Sequence, residues 1–298
     1  MIGYDFSLFW QIGQIVLGGG NPYSIAVSWY PPITSLIFAV FGLLPFIPAY
    51  AIWTGINIVL CLSSFRRLSL KRPVWAWLFF APVLFIVLTG QIDLFFMWLA
   101  VYLPKGGWKA VVAAVLLTMK PQIALVVLPW FLVRWLKTNQ RLVISWLAGT
   151  LVFQLLPLIL SASIFQDWLT ALQSAYGWKM ILSSGVFSMT AFGVPIWLAG
   201  IVALPIAIWG LFQDEITCRA AQLLSCPITF WYDDVLLAGS VPANLLVPFS
   251  LLSFLAAYLL NNAELLAIMP VAILIYRLVE QRRKRLSLTG IYPKSGRS

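Results

Sequence analysis

The sequence predicts an all-α polytopic membrane protein, a bundle of about ten to twelve transmembrane or re-entrant helices behind an interfacial N-terminal helix. Three observations lead there. Of 298 residues, 62% are hydrophobic and only 9% charged, against about 25% charged in a soluble domain. Mean hydropathy is +0.95. The apolar residues form continuous runs without period-two alternation, which favours helices over a transmembrane barrel.

The first element is an amphipathic helix over 5–17, where Ser7, Gln11 and Gln14 form one narrow polar stripe. Gly18-Gly19-Gly20 ends it, and Asn21-Pro22 opens a turn. Apolar runs follow at about 33–49, 50–65, 74–89, 92–103, 108–118, 122–136, 141–160, 192–212, 217–231, 235–260 and 264–279. Several are shorter than a full span and are expected to be tilted, broken or partly inserted. The chain reads as one integral-membrane domain over 1–298. Its parts are an external segment (1–32), the bundle (33–279) and a basic cytoplasmic tail (280–298). The long connections 1–32 and 161–191 are the economical places for an active site.

Orientation follows from the bases. Arg66, Arg67, Lys71 and Arg72, then Lys105 and Lys109, then Arg134, Lys137 and Arg141, recur in every second loop. Arg277, Arg282, Arg283, Lys284 and Arg285 add a basic tail. All four groups read as cytoplasmic, and the connections with Asp5, Asp93, Asp167, Asp233 and Asp234 as external. An external Asp5 and an internal Arg66 require an odd number of crossings, yet 33–65 resembles a hairpin broken at Pro45 and Pro48. Either its first limb is re-entrant or the charge rule fails locally.

Composition also removes chemistries. With no histidine, a Ser-His-Asp triad, a His-based zinc site and a His general base are all excluded. Cys61, Cys218 and Cys226 lack CxxC spacing and are expected as buried thiols. The net charge of +10 sits in loops and the tail, so no nucleic-acid partner is expected. The first base is Arg66, so the start carries no positive n-region of a signal peptide.

Four places carry chemistry. Asp5 is the only ionisable side chain in the first 65 residues that is acidic or basic; it reads as a general base or as a helix N-cap. Lys120 stands beside Pro121 between two apolar runs, where a lysine either snorkels or meets an anion. Gln91 and Asp93 interrupt another apolar stretch and could hold sugar hydroxyls or bond to neighbouring helices. Asp233-Asp234 has the ligand type for a divalent cation and equally suits a helix end; no metal site is assigned.

Asp5-Phe6, Gly18-Gly19-Gly20-Asn21-Pro22-Tyr23-Ser24 and Tyr30-Pro31-Pro32 resemble the opening of glycosyltransferase family 87. Gly90-Gln91-Ile92-Asp93-Leu94, Met119-Lys120-Pro121-Gln122 and the run from Ser225 to Leu237 continue the resemblance in order, over about 4–240. The family pattern begins with a transmembrane helix ahead of its acidic residue. This sequence starts almost at that residue, so the helix is expected to be missing.

The resemblance implies a GT-C-like bundle in a bacterial cytoplasmic membrane, with its site on the outer face. It implies transfer of a hexose, mannose by preference, from a polyprenyl-phosphate donor to a membrane-associated acceptor, without cofactor. Asp5 is the expected base. Gln11, Asn21, Tyr23, Tyr30, Gln91, Asp93, Lys120, Gln122, Tyr232 and Asp233 are the expected substrate contacts, with Lys120 on the donor phosphate. The competing readings are a transporter or lipid flippase, and an inactive truncated relative.

The charge asymmetry makes a topological prediction. Single cysteines at Gly107 and Thr138 in a Cys-free background should label only from the cytoplasmic side. External labelling at both would overturn the orientation.

Overall fold

A computed structural model describes residues 2–25, 29–68, 74–181, 185–259 and 268–288. Every regular element among them is helical. The α-helices are α1 (Tyr4–Leu17), α2 (Pro32–Gly42), α3 (Phe46–Arg67), α4 (Ala81–Thr89), α5 (Asp93–Ala100), α6 (Gly107–Leu117) and α7 (Pro121–Thr138). They continue with α8 (Gln140–Leu155), α9 (Ile164–Ile181), α10 (Ile196–Leu211), α11 (Glu215–Ser225), α12 (Ala243–Leu259) and α13 (Ile268–Leu288). Short 3-10 helices join several of them, notably Trp231–Leu237.

Two segments, Phe46–Arg67 and Gln140–Ile159, are long and apolar enough to cross a membrane. The 11 residues of α2 span about 16 Å, half a hydrocarbon core, whereas the 22 of α3 span about 33 Å. The expected break falls at Pro45, the N-cap of α3. This hairpin is therefore one short limb and one full-length limb.

The stripe helix forms as its pattern predicts. α1 ends at Leu17 with Gly18 as its C-cap, and Gln11 and Gln14 face outward. Its other face meets α2 backbone to backbone. A Cβ on Gly13 would lie 2.3 Å from the Phe38 carbonyl oxygen, and one on Gly42 would lie 2.7 Å from the Gln14 nitrogen. Above this contact Phe9 stacks on Phe38 at 4.3 Å, and Phe6 is enclosed by Phe41, Phe46, Tyr50 and Trp53. The main core runs from these rings through α4–α7 to Ile273 of α13.

Several sequence expectations are corrected. The 161–191 connection is largely helix, as α9 and a 3-10 helix at Val186–Phe192. It reaches the N-terminal segment where Trp168 Nε1 donates to the Trp29 carbonyl at 3.1 Å. The expected tail is helical as far as Leu288, because α13 is anchored at its middle. Arg277 pairs with Asp214 at 3.1 Å, and Gln281 donates to the same carboxylate. Asp214 also caps α11, accepting from the Ile216 and Thr217 amides. Burial opposes its charge, but the Thr217 bonds, Arg277 and Gln281 outweigh burial and hold its pKa below the usual range. The stability this cap contributes is present at neutral pH and is lost as pH falls through the lowered value.

Asp93, Asp233 and Asp234, expected in connections, lie on helical segments and are fully buried. The three cysteines are buried free thiols, as expected. Lys71, Arg72 and the side chains of Lys284 and Arg285 lie outside the described residues.

The α1–α2 contact tolerates no side chain. Gly13→Val and Gly42→Ala should each cost about 1–3 kcal/mol, read as a lowered Tm. Gly55→Ala on α3, with nothing near its Cβ position, should leave Tm unchanged or raise it.

Candidate functional site

Three helix breaks meet in the core, and each delivers one charged side chain. The first is Gly90-Gln91-Ile92 between α4 and α5. Gly90 sits at φ 79°, and a Cβ there would come within 2.5 Å of the Phe6 Cβ. Only glycine can both turn this corner and admit α1. Trp53 Nε1 fixes the corner by donating to the Gly90 carbonyl at 2.8 Å, and Asp93 then opens α5. The second break precedes Pro121, the first residue of α7. Proline disfavours helical geometry in the residue before it, so Lys120 is extended (φ −127°, ψ 89°) and leaves the helical path. The third follows Cys226-Pro227, after which Trp231–Leu237 coils as a 3-10 helix carrying Asp233.

Lys120 is 0% exposed and its Nζ donates to Asp93 Oδ1 at 2.5 Å and to Asp233 Oδ1 at 2.7 Å. The other Asp233 oxygen accepts from the Phe230 amide at 2.8 Å, which fixes the start of the 3-10 helix. Lys120 Nζ also lies 5.0 Å from the Tyr232 ring centroid, a cation–π distance. The lysine is enclosed rather than snorkelling, and its counter-ions are two carboxylates of its own chain.

A cavity adjoins this triad through Gln91 and Tyr232. It has a volume of about 210 Å³ and is lined by Asp5, Tyr30, Gln91, Gln122 and Tyr232 and by apolar groups including Leu8, Phe9, Ile12, Phe85 and Phe230. Its polar wall is linked. Tyr30 OH donates to Gln91 Oε1 at 3.2 Å, and Gln91 Nε2 donates to Tyr232 OH at 3.4 Å. Tyr232 is held between Phe85 and Phe230, with stacked centroids at 5.4 and 5.3 Å. Tyr23 OH donates to the Tyr30 carbonyl at 2.9 Å, which positions Tyr30 from behind.

Asp5 stands at the head of α1 on the cavity wall. It is not the N-cap: Gly3 holds that position at φ 67°, and Asp5 is the second helical residue. Burial raises its carboxyl pKa above the usual value, while the side chains of Thr89 and Gln91 and the charge of Lys120 pull it back in part.

Of the expected contacts, the fold thus gathers Asp5, Tyr30, Gln91, Gln122 and Tyr232 around one cavity. Asp93, Lys120 and Asp233 form the layer behind it. Gln11 points outward, and Asn21 accepts from the Tyr23 amide at 2.9 Å as a turn cap. Asp233 and Asp234 do not act as a pair, since Asp233 is engaged by Lys120 and the Phe230 amide. Neither carboxylate oxygen of the buried Asp234 has a hydrogen-bond partner among the described residues. Among those residues no three His, Cys, Asp or Glu side chains converge as a metal site. Sequence reasoning missed Phe85 and Phe230, which are indistinguishable in sequence from other core aromatics.

The family model for glycosyltransferase family 87 matches residues 29–230. The match takes in two of the three helix breaks and reaches the start of the third. No curated protein and no solved structure matches the chain.

The triad predicts a stability effect that a donor contact would not produce. Lys120→Ala leaves two buried carboxylates unpaired and should destabilise the fold by about 3–5 kcal/mol. Adding Asp93→Asn and Asp233→Asn to Lys120→Met should recover most of that loss in thermal unfolding. An unchanged Tm in Lys120→Ala, with a raised KM for donor, would return the lysine to the ligand.

Proposed function

The chain belongs to glycosyltransferase family 87, and from that premise we propose that it transfers a hexose, mannose by preference, from a polyprenyl-phosphate carrier to a hydroxyl of a membrane-associated acceptor. The observation that carries the reading is the cavity in which Asp5 shares a wall with Tyr30, Gln91 and Tyr232. Hydroxyl and amide groups on aromatic walls suit a sugar, whose faces are apolar and whose edges donate and accept hydrogen bonds.

The acceptor oxygen attacks the anomeric carbon as the bond to the carrier phosphate breaks, and Asp5 takes the hydroxyl proton. No histidine exists to serve instead, and a carboxylate with raised pKa is the better base. The leaving phosphate is set against Gln122, at the N-terminal end of α7, where the helix dipole favours an anion. Lys120 contributes from behind as a positioning residue, holding Asp93 and Asp233 so that the three breaks stay closed around the cavity.

A membrane setting is supported by the outer surface. Of the 16 residues of α8, only Val143 is buried, and Ile144, Leu147, Leu151 and Val152 are exposed. Trp197, Ile201 and Leu204 continue an apolar surface on α10. Apolar area on this scale is abnormal in water and ordinary in lipid. We read the chain as polytopic, with α2 re-entrant and α3 crossing, so that Asp5 and Arg66 lie on opposite sides. That arrangement satisfies the charge rule.

Asp5→Asn tests the base. Asn keeps the size of the side chain and cannot take the proton, and Gly3 rather than Asp5 caps α1, so the variant should fold and bind donor. Sugar transfer from a radiolabelled polyprenyl-phosphate hexose should fall by about 10²–10⁴-fold. In the unmodified protein the rate should decline as pH falls through the raised Asp5 value. Near-normal transfer by Asp5→Asn would remove the assignment.

A further inference from the structure

A second cavity, about 230 Å³, is lined by the later residues of α5 and of the Trp231–Leu237 helix, whose Tyr232 lines the sugar cavity. Arg67 from the end of α3, Lys105 from the turn before α6 and Arg219 from α11 line it, with Glu215 as the one acidic residue. The three bases come from parts of the chain far apart in sequence. Arg219 was not among the basic clusters visible in the sequence, because it sits inside an apolar run.

The cavity has more positive than negative groups. Arg219 is paired with Glu215, but its Nε is buried with no hydrogen-bond partner among the described residues. Arg67 and Lys105 have no carboxylate partner among those residues; they flank the Tyr102 ring, 4.8 and 5.3 Å from its centroid. Glu215 offsets one of the three cations, which leaves Arg67 and Lys105 to attract a further anion. Arginine forks match phosphate oxygens in geometry as well as charge. The remaining lining is apolar, including Met97 and Leu236. Basic hollows between helices at the positive end of a bundle suit lipid headgroups.

We propose that this cavity binds a phosphate-bearing anion, with the headgroup of an anionic phospholipid as the source that its apolar surround favours. The proposal concerns binding alone and stands apart from sugar transfer in the other cavity.

The full chain in phosphatidylcholine nanodiscs is titrated with phosphatidylglycerol, and in parallel with inorganic phosphate at constant ionic strength, reading Tm. Binding to the native state raises Tm by mass action. Phosphatidylglycerol should raise it in the unmodified protein, with half-saturation displaced about tenfold or more in Arg219→Gln and in Lys105→Gln. Lys137→Gln, an exposed base on α7, should titrate as the unmodified protein does. Lys105 is exposed, so its variant carries the test if Arg219→Gln does not fold. A response to lipid alone assigns the headgroup, and a variant-sensitive response to inorganic phosphate assigns free phosphate; both support an anion site. No response to either, or a response unaltered in the cavity variants, overturns it.

Discussion

The ammonium of Lys120 between the carboxylates of Asp93 and Asp233 is the contact on which the site depends. It joins three places where helices stop. A buried helix end carries unsatisfied backbone groups, so a break in a core must be over-determined by its surroundings. Here Gly90 admits α1, Pro121 sets the direction of α7, and Asp233 accepts the Phe230 amide. The ion pair then ties the three corners at one depth. Such a group is expensive to bury and more expensive to break, which makes it better suited to fixing an arrangement than to meeting a transient ligand.

Around that centre, aromatic rings convert the ion pair into a shaped wall. Tyr232 faces Lys120 with its ring and Gln91 with its hydroxyl, while Phe85 and Phe230 hold its plane. Charge fixed behind the wall therefore sets the orientation of hydrogen-bonding groups on its front. Asp5 joins this wall from α1, a helix docked through glycine backbone at Gly13 and Gly42. The proposed base and the proposed sugar-binding wall thus come from elements far apart in sequence that pack in one core. Their separation is set by how closely α1 can approach Gly90.

The two cavities share a boundary. Tyr232 lines one and Leu236 the other, on the same short 3-10 helix. Arg219 Nη1 donates to the Leu236 carbonyl at 3.5 Å, so the basic hollow is joined to the segment that also carries Asp233. Among acidic and basic side chains the first cavity is lined by Asp5, whereas the second is lined by three bases and Glu215.

The helical class, the end of α1 at Leu17, the break near Pro45 and the buried thiols were legible because each rests on local chemistry: period, glycine, proline and the absence of CxxC spacing. The short motifs around Asp5, Tyr30, Gln91, Lys120 and Tyr232 marked residues that do lie together. Their layering was not legible. Nothing in Met119-Lys120-Pro121-Gln122 says that Gln122 lines the cavity while Lys120 lies behind it. That depends on partners 27 and 113 residues away. The same holds for Asp93 and Asp233, which read as loop carboxylates because an isolated acid belongs near water. Sequence alone determined which residues interrupt the apolar runs. Only the tertiary structure decided which of them neutralise one another, because the energy of a buried charge depends on what lies within a few ångströms of it rather than on its neighbours in the chain.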